Sequence, residues 1–127
     1  MEVKSIMTKS APEPIGPYSQ AIESNGFVFT SGQIAIVPST GQLQDGDVVE
    51  QTRRVLDNLK AVLSAAGSGM DRIVKTTIYL NDMDDFPRVN TVYAEYFSDI
   101  PPARSTVEVS RLPKNVLVEI DCIAIKK

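Results

Sequence analysis

Arg104, Thr106, Glu119 and Asp121 are the side chains whose types and spacing could do chemistry. They sit in two alternating runs, ARSTVEV and VLVEIDCIAI, separated by the polar, proline-containing SRLPKN, a pattern that reads as two antiparallel strands joined by a loop. Alternation puts Arg104, Thr106 and Glu108 on one face of the first strand, and Leu117, Glu119, Asp121, Ile123 and Ile125 on one face of the second. Pairing Val109 with Val116 predicts Thr106 opposite Glu119 and Arg104 opposite Asp121. Arg104 and Glu119 then become diagonal neighbours, about 7–8 Å apart at the backbone. Side chains of that length either close a cross-strand ion pair or stand open around a small ligand, and the strands alone leave both readings in place.

The composition removes whole classes of chemistry. The 127 residues contain no histidine, so a Ser-His-Asp triad, a Cys-His pair and the common zinc sites are excluded as constellations within this chain. The single cysteine, Cys122, forbids an intrachain disulfide and fits a reducing compartment. It faces away from Glu119 in an apolar strand and reads as a buried structural thiol. The net charge is -3, with no basic cluster larger than Arg53, Arg54 and Lys126, Lys127, so binding to a nucleic-acid backbone lacks its electrostatic footprint. MEVKSIMTKSAPEP carries no apolar signal core and no run is long enough to span a membrane, from which a cytoplasmic protein is expected.

Other segments must position those residues. Val3 to Met7 reads as a short edge strand, and APEPIGPY as an irregular loop. Asn25 and Gly26 form a two-residue turn between SQAIES and FVFTSGQIAI, pairing Ser24 with Phe27, Gln20 with Ser31 and Tyr18 with Gln33. Tyr18, Gln20, Ser31 and Gln33 then share a face beside Gly32, a grouping that suggests the rim of a small-molecule site. Asp47 and Glu50 form a capping box ahead of a helix whose apolar stripe runs from Thr52 through Val55, Leu56, Leu59, Val62 and Leu63 to Ala66, with Gly67 as its stop. DRIVKTTIYL alternates as a strand. A second helix follows with Pro87 in its first turn and Phe86, Val89, Tyr93, Tyr96 and Phe97 as its stripe; Asn90 adjoins that stripe as a polar neighbour.

The order β, ββ, α, β, α, ββ predicts a single α+β domain over residues 1–127, with a mixed sheet of about six strands and two helices on one face. The last strand is apolar on both sides: Val116, Val118, Ile120, Cys122 and Ala124 on one, Leu117, Ile123 and Ile125 on the other. The helix-free face is therefore expected to be buried too, by self-association.

The segments IGPYSQA, TSGQI, DVVEQTRRVLDNLKAVLSAAG, KTTIYL, VNTVYAEYF, PPARSTVEVSRLPK and VEIDCIAI together resemble the RidA/YjgF family of reactive-intermediate deaminases across nearly the whole chain. The resemblance implies a chorismate-mutase-like fold, a homotrimer with ligand clefts between subunits, and hydrolysis of 2-imino or enamine acids released by pyridoxal-phosphate enzymes. Arg104 resembles the family arginine that holds the substrate carboxylate, and Glu119 the acid that handles water and protons. Tyr18, Ser31, Gly32 and Asn90 match cleft residues. Thr106 stands where many members have cysteine. The chemistry agrees with the residue types: a guanidinium fork binds a planar carboxylate through two parallel hydrogen bonds, and imine hydrolysis needs a positioned water and one proton-carrying carboxyl, with no metal or other cofactor.

Overall fold

The computed structural model describes residues 2–127. Six strands and two α-helices alternate along the chain: β1 (Lys4–Ile6), β2 (Ala21–Ser24), β3 (Phe27–Thr30), α1 (Val48–Ala65), β4 (Ile73–Leu80), α2 (Phe86–Ala94), β5 (Ala103–Glu108) and β6 (Val118–Ile125). The strands form one mixed sheet in the order β1-β2-β3-β6-β4-β5, giving the α+β fold expected.

Local sequence dictates the elements. Asn25, with φ 53°, and Gly26, with φ 80°, are both left-handed, as a two-residue hairpin turn requires, and Ser24 pairs with Phe27 as its chemistry predicts. Asp47 accepts from Val49 N–H, and Glu50 reaches back to the Asp47 N–H, which starts α1 as a capping box. Gly67, at φ 75°, ends it. Pro87 lies in the first turn of α2, where its missing N–H costs nothing. The apolar stripes of both helices join Val28, Ile78, Leu80, Val118, Ile120 and Cys122 in one core on one side of the sheet.

The pairing of the last two strands differs from the sequence expectation. β5 and β6 are not neighbours: β4 lies between them, parallel to β5 and antiparallel to β6. Val109 bonds to Leu80 O rather than facing Val116. Read across β4, Arg104 aligns with Thr76 and Cys122, and Thr106 with Ile78 and Ile120. Arg104 therefore points to the helix side, whereas Glu119 and Asp121 share the opposite face with Tyr79 and Thr77. The physical cause is the β4-α2-β5 unit, a strand–helix–strand connection that returns the chain parallel to where it left. Tyr18 does not pair with Gln33 either. Gln33 bridges to Ile120 instead, carrying the chain after β3 along the edge of β6.

The helix-free face exposes Phe27, Phe29, Val107 and Ile125 together with the partly buried Ile123. This is an apolar patch edged by Lys75, Thr77, Asp121 and Glu119.

Candidate active site

The candidate residues gather into two groups. The first surrounds Arg104. α2 brings Asn90 over the start of β5, and Asn90 Oδ1 accepts a 2.7 Å hydrogen bond from Arg104 Nη1. The guanidinium lies over two α2 rings, 4.9 Å from the Tyr93 centroid and 5.2 Å from that of Phe86. Tyr93 is itself fixed by a 2.8 Å hydrogen bond between its hydroxyl and Thr76 Oγ1. Among the described residues no carboxylate pairs with Arg104, so the ion pair with Asp121 or Glu119 does not form within the chain. Thr106, two residues along on the same face, has a buried hydroxyl with no hydrogen-bond partner among the described residues.

The second group surrounds Glu119. Tyr18, Ser31, Gly32 and Glu119 line a cavity of about 510 Å³ with Gln20, Gln33, Glu13, Lys114 and an apolar wall of Pro12, Ile15, Ile34, Ile36 and Pro113. Gly32 lets the Glu119 carboxyl lie against the backbone: a Cβ at that position would stand 2.1 Å from Glu119 Oε2 and would displace it. Ser31 Oγ donates to Ser19 O at 2.6 Å, and the Tyr18 hydroxyl accepts from Ile15 N–H at 3.3 Å. Glu119 makes no side-chain hydrogen bond or ion pair among the described residues. Burial, with the Asp121 charge adding to it, raises its carboxyl above the ordinary range, so it holds a proton more firmly than a solvated glutamate.

The two polar glutamines of the expected rim have other work. Gln20 is buried and ties the N-terminal loop to the sheet, accepting from Thr8 N–H and donating toward the carbonyls of Thr8, Ala11 and Pro12. Gln33 is buried beside Ile120. Cys122 is buried as read from sequence, and burial pushes its thiol up to about 12.

Residues that the sequence did not single out complete both groups. Phe86 and Tyr93, assigned only to a core stripe, form the platform under Arg104. Fully buried Asn58 donates to Ile34 O and Ile36 O, fixing the apolar wall from α1. Lys114 enters the cavity lining from a tight turn in which it and Asn115 are both left-handed. Their only sequence signal was the Pro113-Lys114-Asn115 turn itself.

The groups do not meet within one chain. Arg104 and Glu119 lie on opposite faces, two strands apart and three residues out of register, which separates their backbones by roughly 14 Å.

The sequence model of the family described as Endoribonuclease L-PSP matches residues 8–126. A RutC family protein of Pyrococcus horikoshii is 57% identical over 122 residues, covering 96% of this chain and 97% of that protein. The Reactive Intermediate Deaminase A of Arabidopsis thaliana chloroplasts is 47% identical over 119 residues, 94% of this chain and 64% of that longer protein. The crystal structure of Escherichia coli TdcF with bound serine superposes with a TM-score of 0.93 at 43% identity, covering 98% of this chain and 99% of that one. The chain thus belongs, over almost its full length, to the RidA/YjgF family, several of whose members carry the RutC name.

Proposed function

We propose that the protein is a 2-imino acid deaminase, hydrolysing 2-iminopropanoate, 2-iminobutanoate and their enamine tautomers to 2-oxo acids and ammonia. The observation that carries this reading is Arg104: a guanidinium held by a neutral amide and two aromatic rings, with no acidic partner of its own. Such a group is oriented in advance for a planar carboxylate, which it can take bidentately. The adjacent Thr106 hydroxyl, buried and unpaired, offers a further donor to the same ligand. The amino acid in the TdcF crystal structure and the deaminase name of the Arabidopsis relative point the same way.

Glu119 supplies the proton chemistry. Water adds through oxygen to the imine carbon while its first proton passes by way of Glu119 to the nitrogen; the remaining hydroxyl proton of the carbinolamine then follows the same route, and the C–N bond breaks as C=O forms and ammonia leaves. A carboxyl whose proton affinity burial has raised suits both halves of that transfer. Because Arg104 and Glu119 are remote within one chain, the working cleft lies between two copies. Arg104, Asn90 and Thr106 come from one copy, and Glu119, Tyr18, Ser31 and Gly32 from the next. A homotrimer associated through the helix-free sheet faces is the assembly in this reading, in a reducing, cytoplasmic setting that suits the free Cys122 thiol.

The test is ammonia release from freshly generated 2-iminopropanoate and 2-iminobutanoate, with the wild type and Arg104→Lys. Lysine keeps the charge and loses the planar fork, so activity should fall to near the spontaneous rate in a folded protein. Wild-type activity with most of it retained in Arg104→Lys would return Arg104 to a structural role. The endoribonuclease description of the matching family model favours RNA cleavage as a second reading. RNA binding that weakens steeply as salt is raised, with no ammonia released, would support it against deamination.

A further inference from the structure

Tyr79 and Asp121 share the helix-free face with Glu119, and the proposed reaction uses neither. Tyr79 pairs in register with Glu119, while its hydroxyl donates diagonally to Asp121 Oδ2 at 3.1 Å. Asp121 follows Glu119 by two residues on the same strand, so their carboxyl groups stand side by side, roughly 7 Å apart at the backbone. Both are partly buried, and among the described residues no cation pairs with either. Lys75, on the same face of β4, donates instead to Ser105 Oγ at 3.2 Å. The other groups around Glu119 are Ser31 and Gly32 from the segment after β3, Tyr18 and Glu13 from the N-terminal loop, and Lys114 from the 113–115 turn, all lining the cavity. β5 presents apolar Val107 to this row.

We propose, on the basis of the deaminase reading, that Asp121, held in place by Tyr79, is a positioning residue for Glu119: its negative charge keeps the neighbouring carboxyl able to retain the proton taken from water until it is delivered to nitrogen. In each of the two proton transfers of a turnover Glu119 gains a proton and gives it up, so no net proton or electron is consumed. A carboxylate with ordinary affinity would lose the proton to bulk water before the leaving group could receive it, and a like charge alongside opposes that loss. Tyr79 makes the two acids unequal. Burial raises both carboxyls, but the tyrosine hydrogen bond opposes the rise at Asp121 alone, leaving Asp121 as the charged member and Glu119 as the proton carrier.

The test follows the Glu119 carboxyl carbon by carbon-13 NMR through a pH titration of the wild type, Asp121→Asn and Asp121→Glu, alongside the pH profile of ammonia release. Asp121→Asn should lower the Glu119 midpoint by about one pH unit, while Asp121→Glu restores the wild-type midpoint. The acid limb of the activity profile should move with the midpoint. An unmoved midpoint in Asp121→Asn, or an equal shift in Asp121→Glu, overturns the proposal. If Asp121→Asn does not fold, Tyr79→Phe takes its place: the Asp121 midpoint should rise and that of Glu119 fall, and unchanged midpoints overturn the proposal. The NMR midpoints need no turnover, so a shift without wild-type activity sinks the deaminase reading and leaves of this one only the charge coupling between the two acids, whereas activity without a shift sinks only this one.

Discussion

At the residue scale, the two principal groups of the candidate site are left without a partner of opposite charge among the described residues. Arg104 has rings and an amide but no acid, and Glu119 has a glycine and a tyrosine but no base. Side-chain types and the alternation within each strand were legible in the sequence, which separates Arg104 and Thr106 from Ser105 and Val107; that Arg104 and Glu119 take opposite faces of the sheet was not. What each side chain touches was not, because that depends on which strands pair. Gly32→Ala tests the close approach: the new methyl group would overlap Glu119 Oε2, and the flexible carboxyl must swing away. Activity should fall about tenfold or more with little loss of stability, since general acid–base groups contribute factors of about 100 to 10,000. Full activity in a folded Gly32→Ala would show that the carboxyl works from another place.

Glu119 also makes a prediction about stability. Its proton affinity is higher folded than unfolded, so its favourable contribution is complete below the ordinary glutamate range and is lost as pH rises through the raised folded value. Above that value the fold carries a carboxylate that it would hold more easily as the neutral acid. Glu119→Gln should melt higher than wild type at pH 7 and at nearly the same temperature at pH 4, read by differential scanning fluorimetry. A variant that melts lower at pH 7 would mean that the charged form has a stabilising partner. Raised stability with lost activity is the pattern of a site in which function is favoured over fold.

At the element scale, the helices, the capping box and the Asn25-Gly26 hairpin were legible because each is written in a short window of residues. The β5 and β6 pairing was misread because nearness in sequence suggested a hairpin, whereas the nine residues 109–117 carry the chain past β4. The strand–helix–strand order of β4, α2 and β5 held the correcting signal, since a helical crossover is how parallel neighbours are joined. Two buried amides were equally hidden: Gln20 and Asn58 look like surface residues by type, yet each fastens an irregular segment of the cavity wall to a regular element. Gln20→Leu should destabilise the protein by about 1–3 kcal/mol in urea unfolding, because the carbonyls of Thr8, Ala11 and Pro12 lose a buried donor. It should also raise KM more than it lowers kcat, since the loop it holds carries Glu13, Ile15 and Tyr18 into the cavity. An unchanged urea midpoint would mean that the loop is held by its prolines instead.

At the scale of the whole molecule, the separation of Arg104 from Glu119 becomes a statement about assembly. The apolar patch of Phe27, Phe29, Val107 and Ile125 on the helix-free face is exposed in the single chain and is the surface that the proposed assembly would cover. If copies complete one another's clefts, two inactive variants should rescue each other. Arg104→Ala chains keep an intact Glu119 group, and Glu119→Gln chains keep an intact Arg104 group. Unfolded together in equal amounts and refolded, they assemble at random, and a cleft works only where its Arg104 side comes from a Glu119→Gln chain and its Glu119 side from an Arg104→Ala chain. Each condition holds for half of the positions, so activity should recover to about one quarter of that of the wild type refolded in the same way, whatever the number of subunits in the ring. Each variant refolded alone should remain near the spontaneous rate, and sedimentation should give all three samples the same oligomeric mass. A mixture as inactive as its components, at that same mass, would place Arg104 and Glu119 in one chain's cleft and require a rearrangement of β4 to bring them together.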